Sequence, residues 1–83
     1  MATELEELLG FLSSPLPQVK KAAVDIVRDL TGSQDGVQRI IQYSNVAAPS
    51  LARLLGENQE VSVPAAEALV NLSENPKFIG KDG

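Results

Sequence analysis

Few side chains in this 83-residue chain could do chemistry, and their spacing points to solvation more than to reaction. Asp25 and Asp29 stand four residues apart. On a helix that places both carboxylates on one face, where they could share a divalent cation. Two carboxylates fall far short of the roughly six to eight oxygens a calcium site gathers. Lys21, four residues before Asp25, offers a simpler ion pair on the same face. The chain has no histidine and no cysteine. It therefore lacks the commonest general base, the commonest metal ligand and any thiolate. Its serines have no such partner to activate them. No catalytic residue, cofactor site or metal site is assigned, and the chain is read as a non-enzyme. Asn71-Leu72-Ser73 has the form of an N-glycosylation acceptor, but it falls in a helical pattern of a chain without a signal peptide. Lys20, Lys21 and Arg28 make a small basic strip that serves solubility, with Lys21 and Arg28 as candidate contacts to a partner.

Composition narrows the field further. The formal net charge is −4, which argues against nucleic acid and anionic membrane as partners, since both need a basic face. Hydrophobic residues make up 43%, ordinary for a globular chain. No apolar run approaches the ~20 residues of a membrane span. The first residues, Met-Ala-Thr-Glu-Leu-Glu-Glu, are acidic and lack a signal-peptide n-region. The expectation is a soluble intracellular protein of the cytoplasm and also the nucleus.

The elements that would carry these residues come as a repeat. Val19 and Val61, Ala23 and Ala65, Val27 and Leu69, Leu30 and Leu72, and Thr31 and Ser73 are each 42 apart. The preceding segments align at 43: Leu8 with Leu51, Gly10 with Arg53, Phe11 with Leu54 and Leu12 with Leu55. The extra residue lies in the loop Ser13 to Gln18, which is one longer than Gly56 to Glu60. An insertion confined to a loop is what stacked repeats tolerate.

Periodicity and punctuation give the helices. Thr3 and Glu6 form a capping-box pair, and Leu5, Leu8, Leu9 and Leu12 recur at helical spacing, which predicts a first helix over about 4–13. Pro15 and Pro17 end it, and Pro17 suits the first turn of a second helix over about 17–31. Val19, Ala23, Ile26, Val27 and Leu30 are expected inward there, with Ala22 and Val24 widening the apolar arc. Gly32 is expected to cap it in a left-handed conformation. Ser33 then caps a third helix over about 34–44, with Val37, Ile40 and Ile41 inward and Gly36 weakening its first turn by up to ~1 kcal/mol relative to alanine. Asn45 is expected to cap a fourth over about 46–56, with Val46, Leu51, Leu54 and Leu55 inward and Pro49 in its opening turn. Tyr43 is expected in the interhelix core. A fifth helix runs over about 60–73, its start left open between Ser62 and an irregular first turn because of Pro64. Asn75-Pro76 begins another helix that carries Phe78 and Ile79. Along the fifth helix Val63, Ala66 and Val70 form a second apolar line, expected to be an uncovered end face and a place of weak self-association.

Pro49-Ser-Leu-Ala-Arg-Leu-Leu55, Glu60-Val61 and Ala65-Ala-Glu-Ala-Leu-Val-Asn-Leu-Ser73 together resemble the armadillo repeat. The resemblance covers 34–75 as one three-helix unit, with 4–31 as the last two helices of a preceding unit and 76–83 as the start of a truncated next one. It implies an all-α fold: one domain over 1–83, a segment of a right-handed α-α superhelix of about one and two-thirds repeats. It implies a role in protein–protein interaction on a concave face lined by the third helices. Asn71 matches a position that bonds the backbone of an extended ligand in peptide-binding members, and Asp29 holds that position in the first unit. A bond made near the end of its own helix is the alternative for Asn71.

The opening Leu5-Glu-Glu-Leu-Leu-Gly-Phe-Leu-Ser-Ser-Pro-Leu-Pro-Gln-Val19, with Ala23-Val-Asp25, Leu30-Thr-Gly32 and Ala68-Leu-Val-Asn-Leu-Ser73, resembles the start of a eukaryotic family of armadillo-like cochaperones. That family assists the folding of translation elongation factor 2 with the cytosolic chaperonin. The resemblance implies a chaperone adaptor with those two proteins as partners. A generic armadillo peptide-binding module of a transport or signalling adaptor is the second expectation.

Overall fold

A computed structural model describes residues 3–75. They form five helices: α1 (Glu4–Phe11), α2 (Pro17–Leu30), α3 (Gln34–Ile41), α4 (Ser44–Leu54) and α5 (Gln59–Ser73). No strand occurs among the described residues. The helix expected from Asn75-Pro76, and with it the start of a further unit over 76–83, lies outside the described residues.

Each helix end has a local cause. In α1 the capping box is complete: Thr3 Oγ1 accepts from the Glu6 N–H at 3.1 Å, and Glu6 Oε1 accepts from the Thr3 N–H at 3.0 Å. The helix stops at Phe11, short of the expected 13, because Leu12, Ser13 and Ser14 donate three residues back in a tightened turn before the prolines. Pro17 opens α2. Gly32 does not adopt the expected left-handed conformation, since no described glycine has positive φ. Its N–H instead donates to the Asp29 carbonyl at 3.1 Å, another closure onto the third residue back.

Ser33 caps α3 as expected, accepting from the Gly36 N–H at 3.1 Å. α3 ends at Ile41 and α4 follows after two residues. The Tyr43 carbonyl accepts from both Val46 and Ala47, at 2.9 and 2.8 Å, so the helix begins before Asn45 and Asn45 is not its cap. Pro49 thereby becomes the sixth residue of α4 rather than part of its opening turn. Pro64 is likewise the sixth residue of α5, which starts at Gln59. Each proline removes one ladder bond, to the carbonyls of Asn45 and Glu60. Both residues are exposed, which leaves those carbonyls to solvent.

The core draws on every helix, including Leu9, Val27, Ile40, Leu51 and Leu72. Three residues expected inward are exposed: Ile26, Val46 and Leu55. Ile26 falls on the flank of α2 toward α1, while Ala23, Val24 and Val27 take the buried stripe. Leu55 follows the last helical turn, where Leu51 and Leu54 already fill the interior. Leu69 packs against the core only in part. Tyr43 also packs there in part, with its hydroxyl 3.4 Å from Thr3 Oγ1.

The two repeat copies, α2 and α5, share the most extensive helix contact among the described elements. Three bonds join the copies and their flanks in ascending order: Lys20 to Glu57 at 2.7 Å, Arg28 to Glu67 at 3.6 Å, and Asn71 to Thr31 at 3.0 Å. That order means the copies lie side by side and run in the same direction. No helix of the described residues is long and apolar enough to cross a membrane.

Candidate protein-interaction surface

The C-terminal half of α2 and the facing half of α5 enclose an open groove of about 760 Å³. Arg28, Asp29 and Gly32 line one side, and Ala66, Glu67, Val70 and Asn71 line the other. Five of the seven residues singled out from the sequence meet here: Arg28, Asp29, Ala66, Val70 and Asn71. Lys21 does not line it; its Nζ is held by Asp25 Oδ2 at 2.8 Å, the ion pair expected from their spacing. Val63 is exposed on α5 but also stands outside the groove lining.

Arg28 is the groove's cation. Its Nη2 donates to Asp29 Oδ1 at 3.2 Å, and Nη1 lies 3.6 Å from Glu67 Oε1. The hydrogen bond to Asp29 raises its pKa above the usual value, desolvation opposes this, and the charges of Asp29, Asp25 and Glu67 add to it. With two carboxylates beside one guanidinium, the groove wall has a slight acidic excess.

Asn71 is half-buried and already engaged. Its Nδ2 donates to Thr31 Oγ1 at 3.0 Å, and Thr31 Oγ1 donates to the Arg28 carbonyl at 2.6 Å. This chain of bonds ties the end of α5 to the end of α2. The Asn71 bond crosses between helices, so it is not the local one considered from the sequence. Asn71 keeps one amide hydrogen for a ligand. Thr31 is the buried polar residue of the described chain, at 5% exposure. Sequence alone did not single out Thr31, Gly32 or Glu67 for this surface. The available signal was the repeat itself, since Asn71 and Thr31 end equivalent helices.

No group of three or more Asp or Glu among the described residues is placed to hold a metal ion. The groove offers hydrogen bonds, a cation held between carboxylates, and Val70 at 57% exposure. That mixture suits a polypeptide surface. Comparisons with family models, curated proteins and solved structures return no match to this chain.

Proposed function

We propose that this chain is a non-enzymatic protein-binding scaffold that presents the α2–α5 groove to a partner protein. The observation that carries this reading is the convergence in one open groove of Arg28, Asp29, Ala66, Val70 and Asn71, which come from two repeat copies. Parallel helices locked by ion pairs give a preorganised surface, which lowers the entropic cost of binding. The resemblance to armadillo-like cochaperones names the partners: elongation factor 2 and the cytosolic chaperonin. It also makes the arrangement a segment of an armadillo superhelix and the setting cytoplasmic.

The test is affinity capture from eukaryotic cytosol with the chain as bait. Elongation factor 2 and chaperonin subunits should be enriched, and the double variant R28E/V70D should lose them. If neither partner is enriched, or the variant captures them equally well, the reading fails. Weak self-association through Val63, Ala66 and Val70 belongs to the same proposal, and sedimentation of V63D checks it: the variant should sediment as a smaller species at high concentration than the parent chain.

A further inference from the structure

α1 and α2 form a second groove, of about 390 Å³, on the far side of α2. Leu8, Val19, Ala22 and Ile26 contribute to its apolar surface, and Phe11 forms part of its wall. Phe11 is 50% and Ile26 49% exposed. Glu4 and Glu7 stand at its edge. Neither carboxylate has an ion pair among the described residues, whereas Asp25, Asp29, Asp35, Glu57 and Glu67 each have one.

The repeat indicates what belongs in this groove. The second-unit counterparts of Phe11, Ala22 and Ile26 are Leu54, Pro64 and Ala68, and all three are buried. α2 packs against α5, the helix that carries Pro64 and Ala68, with Val24 and Val27 fully buried. Its flanking cations, Lys20 and Arg28, pair with Glu57 and Glu67. The chain thus contains one filled example of the apolar part of the site: a helix with a branched apolar stripe lying against these positions. Glu57 and Glu67 align with the Ser14–Pro15 loop and with Asp25, whereas Glu4 and Glu7 align with Ala47 and Ser50, so the acidic edge belongs to the first unit alone. The α1–α2 groove has the apolar surface without the helix, and an acidic edge of its own at Glu4 and Glu7.

We propose that the α1–α2 groove docks an amphipathic helix of a partner protein, with valine-like residues three or four apart and basic residues beside them. Glu4 and Glu7, one turn apart, meet those basic residues. A second copy of this chain is a poorer occupant. Its open helix, α5, carries Ser62 and Val70 where α2 carries Lys20 and Arg28, and so brings no cation.

The test uses the 83-residue chain and a fluorescent, helix-stapled peptide with the sequence of residues 17–31, read by anisotropy. A second peptide has Lys20, Lys21 and Arg28 replaced by glutamine. The basic peptide should bind saturably. I26E in the chain should weaken it by about tenfold or more, because a carboxylate would enter the apolar contact. E4Q/E7Q should remove the preference for the basic peptide. Circular dichroism of both variants checks that the helices persist; Ile26, Glu4 and Glu7 are not buried. No saturable binding, or binding unchanged by I26E, overturns the proposal. Concentration-dependent dimerisation of the chain alone, lost in I26E, would give the groove to a second copy instead and also overturn it.

Discussion

Gly36 stands where the first turn of α3 meets the end of α2. A Cβ there would fall on the carbonyl oxygen of Leu30 and lie 2.7 Å from its carbonyl carbon. The obstacle is backbone, which cannot swing away as a side chain would. Helix propensity alone makes G36A stabilising; the close approach reverses the sign. G36A should lose about 1–3 kcal/mol, the usual cost of overpacking, measured by urea unfolding. Asn71 and Thr31 make the other residue-scale case. N71A should lose about 0.5–1.5 kcal/mol, as for one hydrogen bond. In a double-mutant cycle with T31V the losses should be non-additive, because both remove the same bond. Additive losses in thermal unfolding would separate the two residues. Neither effect was legible in the sequence, since each depends on which helix ends meet.

Along the elements, α5 shows how a repeat pattern fixes a helix but not its buried phase. Val61, Ala65, Ala68 and Leu72 are buried, while Leu69 is only partly covered. L72A should therefore cost about 2–5 kcal/mol. L69A should cost less, about 1–2 kcal/mol, in proportion to the smaller area removed from water. Chemical denaturation of the two variants checks the order, and equal losses would contradict it. The helix starts tell a similar story. The capping box of Thr3 and Glu6 and the Ser33 cap were legible because the bonding partners lie three residues apart. The start of α4 was not, because Tyr43 caps without a side-chain bond. Pro64 could not be placed either, since a single missing bond near a helix start leaves either boundary open.

For the molecule as a whole, the radius of gyration of 11.8 Å matches the ~12 Å of a compact domain of this length. The α2–α5 contact is its centre. Lys20 shows how closely the copies are joined: its side chain is only 17% exposed, and its ammonium meets both oxygens of Glu57, at 2.9 and 2.7 Å. Hydrogen exchange should find the slowest amides in α2 and α5, where helix contact is greatest, and faster exchange in α1. Protection of α1 equal to that of α2 would contradict this ordering.

By itself the sequence determined the helical class, the two copies 42 residues apart and most of the buried stripe, because these follow from spacing along one chain. It also placed Lys21 beside Asp25, a pair within one helix. Tertiary structure alone decided that Lys20 reaches Glu57, that Asn71 is tied to Thr31, that Gly36 must remain small, and that Ile26 and Phe11 stay open. Those outcomes depend on the lateral packing of helices far apart in sequence, and helical periodicity carries no information about which neighbour covers which face.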